Sequence, residues 1–345
     1  IQEITGQPLR IAVMLPLRAN AFERDGNDDR FFDFYAGMLL AIRNAEQMGQ
    51  AFEIHTYDVE RADNQLTKVV NDPFLQQAHA IIGPVYTPQI ETIAKAVTNP
   101  KCWILAPFSS HIPCIHEHPN ILQFNPTQAM ESAAVAQYLE GKKDSLQCFV
   151  LQVEEGNLQA NVREFVQQLQ DRQIPTSQVA LHTVLADSLP EMLSADKENL
   201  FIFHNDKINN LSIILPKLRA AAGNNNLTLY SHYAWQKESI NMPQLYASVF
   251  RHNTQDSTQS VLYQQAFDHY FGDPLASTHP QYDLLGYDLT AHLVRILQQT
   301  QDIEDPEHLQ HIMNQPFIGI QTTIQYHRMD TTGGYVNQHI EIIHP

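Results

Sequence analysis

Cysteine is scarce: three occur among 345 residues, Cys102, Cys114 and Cys148, in no CxxC or zinc-type spacing. An odd number cannot all pair within the chain, which excludes a disulfide framework as the source of stability. A Cys102–Cys114 bridge is geometrically open but nothing in the sequence asks for it. Cys102 and Cys148 lie in apolar runs and read as small buried hydrophobes. Long apolar runs are also missing, since no stretch approaches the roughly 20 residues of a membrane-spanning helix. Basic residues are few, 21 Lys and Arg against 38 Asp and Glu, for a formal charge of −17. Such a surface repels phosphate backbones and no Lys/Arg cluster reverses it locally, so no nucleic-acid partner is expected.

Catalytic signatures are absent as well. There is no GxSxG elbow, P-loop, GxGxxG after a strand, HExxH or kinase-type set, so the chain reads as a non-enzyme with no cofactor. Histidine, by contrast, is plentiful at 17. The stretch HIPCIHEHP gathers His111, Cys114, His116, Glu117 and His118, yet its spacing fits no structural zinc pattern and one loop rarely supplies a whole tetrahedral site. It reads as a solvated loop. Glu154 and Glu155 are adjacent at a strand end, where neighbouring side chains point to opposite faces, so they make a poor acid/base pair. The chain opens on Ile1 instead of Met, and the expectation is that a targeting segment or another domain preceded it.

What is present is an ordinary globular composition, 43% hydrophobic and 17% charged. Single cores stop growing at roughly 250–300 residues, so 345 residues suggest two lobes. Periodicity supports this. LRIAVMLPL (9–17) is a buried-strand run, and residues 30–49 place Phe31, Phe34, Tyr35, Met38 and Ile42 on one helical stripe. Strand and helix then alternate through AFEIHTYD, QLTKVVND, HAIIG, PQIETIAKAV and CWILAPF, the order of a parallel sheet covered by helices. Near residue 125 the alternation restarts and runs to LTLYSH. Residues 258–314 are mostly helical, and the end reads as two strands around DTTGG.

In an open parallel sheet, ligands bind beyond the carboxyl ends of the strands. Two loops at such ends carry hydroxyls, GPVYT with Thr87 and APFSS with Ser109 and Ser110. Thr87-Pro88 reads as an N-cap and first helical residue, and Gly83 would let backbone approach closely. Capping alone also explains Thr87. Tyr86, Phe108, Tyr233 and Trp235 fall just past strand ends, where aromatics can wall a small ligand or pack in a seam between lobes.

The order and spacing of IAVMLPL, FYAGMLLAI, AIIGPVYT, WILAPFSS, LGYDLTAHLV and PFIGIQTTIQYHRMDTTGGYV resemble the type I periplasmic binding proteins, the leucine/isoleucine/valine-binding and receptor ligand-binding group. The resemblance covers nearly the whole chain from about residue 9. It implies an α/β fold of two Rossmann-like lobes with parallel-sheet cores, joined by a three-crossover hinge. The first lobe would be 1–124 plus 254–320 and the second 125–253 plus 321–345. It implies a solute-binding protein of the cell envelope, periplasmic or outer-membrane-anchored. A small polar ligand, an amino acid or a related compound, would be trapped between the lobes for a membrane transporter or sensor. The residues so implicated are Tyr86, Thr87, Ser109 and Ser110 in the first lobe, joined by Phe108 from its position past a strand end, and Glu154, Asn205, Asp206 and Tyr233 in the second. The alternative is a ligand-free interaction module on the same fold, similar to outer-membrane lipoproteins that regulate peptidoglycan synthesis, with cell-wall machinery as partner.

Overall fold

The computed structural model describes residues 7–19, 26–61, 66–152, 160–180, 189–202, 211–223, 226–230, 242–251, 258–276, 280–300 and 305–344. The chain divides into two compact units, Ile1–Pro126 with Val249–His339 and Thr127–Ser248 with Ile340–Pro345. It therefore passes from one unit to the other three times.

The first unit's sheet holds β1 (Leu9–Leu15), β2 (Phe52–Asp58), β3 (Ala80–Ile82), β4 (Trp103–Ala106) and β5 (Ile121–Gln123), joined late in the chain by β13 (Tyr326–Arg328) and β14 (Tyr335–Asn337). Their spatial order is β13-β14-β5-β4-β3-β1-β2, parallel throughout except for β13. In β1, LRIAVML, every residue but Arg10 is buried, as a central strand covered on both faces requires. Among the helices are α1 (Gly26–Gln47), α2 (Leu66–Val70), α3 (Pro73–Gln77) and α4 (Thr87–Ala96). On α1 four residues of the expected stripe, Phe31, Phe34, Met38 and Ile42, are buried, each contributing about 1.5–3 kcal/mol, whereas Tyr35 is half-buried with its hydroxyl 2.9 Å from Thr56 Oγ1. Helix α3 was not expected, although its start is a recognisable signal. The Asp72 side chain accepts from the Phe74 amide at 2.9 Å, and Pro73 opens the helix.

The second unit's sheet holds β6 (Leu146–Gln152), β7 (Thr176–Ala180), β8 (Glu198–Ile202), β9 (Leu227–Tyr230), β10 (Gln244–Ser248) and β15 (Glu341–Ile343), in the order β15-β10-β9-β8-β6-β7. Its helices include α5 (Gln128–Glu140), α6 (Ala160–Asp171) and α7 (Leu211–Ala222). Alternation along β6 builds both halves of the core. Leu146, Cys148 and Val150 pack with Val135, Leu139 and Phe165 on one face, while Phe149 and Leu151 pack with Ile214 and Leu218 on the other.

Both sheets repeat one topology. The strands β2-β1-β3-β4-β5 and β7-β6-β8-β9-β10 share the 2-1-3-4-5 order. In this order the switch point lies between the first and third strands of each unit. The first unit also carries α8 (Thr258–Phe271), α9 (Tyr282–Thr300) and α10 (Pro306–Asn314), and a small ladder of β11 (Phe317–Ile318) with β12 (Thr323–Ile324).

The boundaries of the two units differ from expectation. Residues 321–339, assigned by resemblance to the second lobe, lie in the first unit because Tyr335 and Val336 of β14 pair with Leu122 and Gln123 of β5. Residues 249–251 lie there too, held by the Phe250–Thr322 bridge and by the Arg251 amide donating to the Gln321 carbonyl at 2.8 Å. Only the last strand, β15, returns to the second unit, pairing antiparallel with β10.

Candidate ligand-binding site

In the first unit β1 and β3 are adjacent parallel strands, so the segment after β1, Pro16–Ala19, and the loop after β3, Gly83–Tyr86, leave the sheet at the same edge. Arg18 takes a positive φ of 48°. The Asp58 carboxylate at the end of β2 accepts from the Arg18 and Ala19 amides, both at 2.8 Å, which fixes the turn. At Gly83, with φ of 92°, a Cβ would overlap the Met14 carbonyl oxygen. The close approach expected of this glycine is thus to the neighbouring strand.

Thr87 is the first residue of α4 and Tyr86 is the cap, without a side-chain cap bond. The Thr87 hydroxyl, expected to cap, instead reaches sideways. Its Oγ1 lies 2.9 Å from Ser109 Oγ and 2.9 Å from the His111 carbonyl, and Ser109 Oγ lies 3.1 Å from that same carbonyl. Two hydroxyls carry two protons. Either both protons go to the carbonyl, or one goes there and the other bridges the hydroxyls; in each case both are engaged while the oxygens keep acceptor capacity. The pair therefore offers acceptors more readily than donors. The helix start adds few donors, because Pro88 has no N–H and the Gln89 and Ile90 amides both return to the Tyr86 carbonyl.

Phe108 is half-buried just past β4. Its ring meets Phe31 edge-on at 5.4 Å, Phe34 at 5.0 Å and Tyr282 at 6.0 Å, a cluster inside the first unit. Tyr86 is half-buried with the Arg61 guanidinium 5.5 Å from its ring centre. Ser110 is exposed and its carbonyl accepts from the buried Gln123 side chain at 3.1 Å. Tyr86, Thr87, Phe108, Ser109 and Ser110 thus share the carboxyl edge of the first sheet, and Phe108 also packs within the first unit. The second-lobe candidates Glu154, Asn205, Asp206 and Tyr233, together with Trp235, lie outside the described residues.

The histidine-rich loop has a structural occupation. His116 Nδ1 bonds Asp330 Oδ2 at 2.5 Å, and the Gly334 amide donates to the Ile115 carbonyl at 2.7 Å, which ties the loop to the DTTGG turn. The same carboxylate accepts from the Thr332 and Gly333 amides, at 2.9 and 2.6 Å. Bonding to His116 first, then to these amides, holds Asp330 down at about 2. A depressed carboxylate stabilises the fold above its unfolded pKa and loses that contribution as pH falls through the folded one. Replacing His116 with Ala is expected to move the Asp330 pKa up towards the usual carboxylate range, read by NMR titration of its side chain. All three cysteines are free and buried, and burial pushes the Cys102 and Cys148 thiols up to about 12, which makes them unreactive at neutral pH.

The two-unit α/β arrangement decides the fold family. The fold is that of the type I periplasmic binding proteins. No protein-family model and no curated protein matches the sequence. Solved structures with this type I fold match nearly its whole length. An ABC transporter substrate-binding protein from Desulfitobacterium hafniense, in complex with Leu, is 15% identical with a TM-score of 0.61 over 97% of both chains. A solute-binding protein of an ABC transporter from Rhodopseudomonas palustris, bound to 3,4-dihydroxybenzoic acid, is 13% identical with a TM-score of 0.57, covering 98% of this chain and 93% of that one. Full-length LpoA from Haemophilus influenzae is 13% identical with a TM-score of 0.59, and the match spans 99% of this chain but 60% of LpoA. Within the described residues, no helix is long and apolar enough to cross a membrane.

Proposed function

We propose that this chain is a non-enzymatic solute-binding protein of the cell envelope, holding a small polar ligand, an amino acid or a related compound, for a membrane transporter or sensor. What supports the reading most is that Thr87 and Ser109, from two different loops, converge at the carboxyl edge of the first sheet, where this topology binds ligands. The full-length match to leucine- and dihydroxybenzoate-bound substrate-binding proteins is consistent with it. A thermal-shift screen over amino acids, small peptides, sugars and cell-wall fragments tests it. A ligand at 100 times its Kd adds about 2.7 kcal/mol to apparent stability, a readily measured rise in Tm. Thr87→Val keeps the shape of the side chain and removes its hydroxyl, and is expected to weaken binding about tenfold, the value of one hydrogen bond.

A second reading is favoured by the same hydroxyl pair, because its protons are already engaged within the protein. On that reading the chain is a ligand-free interaction module of an envelope lipoprotein that regulates cell-wall synthesis, as its match to LpoA over 99% of its length invites. A screen in which no compound raises Tm, with a cell-wall synthesis enzyme binding the protein directly, would decide for it.

A further inference from the structure

The first unit contains a guanidinium without an acceptor. Arg10 and Arg18 pair with Glu53 and Asp28, both at 2.8 Å, and Arg251 and Arg295 donate to the Gly319 and Gln315 carbonyls at 2.8 and 3.1 Å. Arg30, near the start of α1, bonds no oxygen of any described residue. Its guanidinium carbon lies instead 4.7 Å from the ring centre of Phe31 and 5.9 Å from that of Tyr282, the first residue of α9. Nε is buried there with no partner, while Arg30 as a whole is only half-buried. Two rings therefore hold the cation and leave its terminal N–H groups unbonded. The place is the carboxyl edge of the first sheet, because α1 begins where β1 has left that edge. Phe108, just past β4 on the same edge, completes the aromatic group. Its ring meets those of Phe31 and Tyr282 at 5.4 and 6.0 Å, and the next residues are Ser109 and the exposed Ser110.

Acids outnumber bases 38 to 21 in this chain, so Arg30 is not unpaired for want of carboxylates. The hydroxyl pair beside the same aromatic group has the opposite character. The protons of Thr87 and Ser109 are engaged with the His111 carbonyl and with each other, and what remains there is acceptor capacity. An anionic group arriving at this edge therefore needs donors from elsewhere. A guanidinium offers parallel N–H groups that match the two oxygens of a carboxylate, and one already held against aromatic rings loses little freedom on binding. We propose that Arg30 is the anion-recognition residue of the first unit and binds a carboxylate of the ligand, while the Thr87 and Ser109 oxygens accept from the ligand's donor groups. The proposal rests on the solute-binding reading and names a residue outside the strand-end loops that carry the sequence candidates. Arg43 supplies an internal comparison. It lies on the same helix, about 20 Å further along at 1.5 Å per residue, with its guanidinium carbon 4.0 Å from the ring centre of the exposed Tyr270.

The test is a thermal-shift and calorimetric comparison of carboxylates with their own amides, leucine with leucinamide, benzoate with benzamide and glutarate with glutaramide, within the wider compound screen. Members of the acid set should raise Tm and their amides should not. Arg30→Gln should lower the affinity for the bound acid at least tenfold, whereas Arg43→Gln should leave it unchanged. Free of ligand, Arg30→Gln should unfold within about 3 °C of the unsubstituted protein, the value of one exposed cation–π contact. A much lower ligand-free Tm would show that Arg30 serves packing and would overturn the assignment. Amides binding as well as acids, acid affinity unchanged in Arg30→Gln, or an equal loss in Arg43→Gln would each overturn it and leave solute binding intact. No response to any compound would overturn both.

Discussion

Replacing Asp288 with Ala is expected to destabilise the first unit by about 3 kcal/mol at neutral pH, the net of two opposing effects. Asp288 lies on α9, 1% exposed. Its Oδ1 accepts from the Ile320 amide at 2.8 Å; its Oδ2 accepts from the Gln321 amide at 2.7 Å, the Thr322 amide at 2.9 Å and the Thr322 hydroxyl at 3.1 Å. The chain reverses tightly here, and a Cβ on Gly319 would overlap the carboxylate. Removing the acceptor strands three buried amides, at about 1–3 kcal/mol each. Against that stands the charge itself. Burial, the largest effect, raises Asp288 to about 6 although all four hydrogen bonds pull it down. Relative to an ordinary carboxyl at 3.8, that amounts to about 3 kcal/mol of ionisation cost recovered by the substitution. The stranded amides outweigh it.

The pH dependence gives a second check. Because the folded pKa is raised, the unsubstituted protein loses stability relative to Asp288→Ala as pH rises from about 4 through 6. Urea unfolding at pH 4.5 and 7.5 should therefore show the larger penalty at the lower pH. An equal penalty at both would mean that Asp288 titrates like an exposed acid.

Much of the framework was legible because its signals are local. The pattern of 282–300, YDLLGYDLTAHLVRILQQT, gives α9 its observed limits, and PEHLQHIMN does the same for α10, with Asp305 capping the Glu307 amide. Alternation and apolar runs gave the strands and the restart after residue 125. What escaped depends on distant partners. Strand β10, five residues after a proline, carries no alternation of its own and is defined by β9 on one side and β15 on the other. The segment 321–339 could not be assigned from its own residues, because only its pairing with β5 places it.

The site follows the same division. That Thr87 and Ser109 stand at strand ends follows from the sequence pattern. That their hydroxyls meet at the His111 carbonyl does not, since it depends on how the loop after β4 doubles back. Phe108 reads in the sequence as an aromatic past a strand end, but its packing against Phe31 and Phe34 of α1, more than 70 residues away in sequence, shows only in the structure.

Putting a side chain on Gly37 or Gly286 is expected to destabilise the first unit strongly. Helices α1 and α9 touch backbone to backbone at these two positions. A Cβ on Gly37 would overlap the Asp283 carbonyl oxygen, and one on Gly286 would overlap the Phe34 carbonyl oxygen. Neither obstacle is a side chain that can swing aside, so the helices themselves must separate. Separation then loosens the layer beneath, including Phe34 and Met38 of α1 and Leu285 and Leu289 of α9, all buried. Overpacking typically costs 1–3 kcal/mol where side chains can adjust, so with backbone as the obstacle Gly37→Val should cost about 3 kcal/mol or more. Gly286→Val should cost about as much by the same reasoning. The two should not add, because helices already forced apart by the first substitution leave room for the second. Urea unfolding of Gly37→Ala, Gly286→Ala and the double variant measures this directly. A double penalty clearly smaller than the sum of the singles is the expected result, whereas full additivity would show that each glycine is required by its own turn of helix and not by the shared contact.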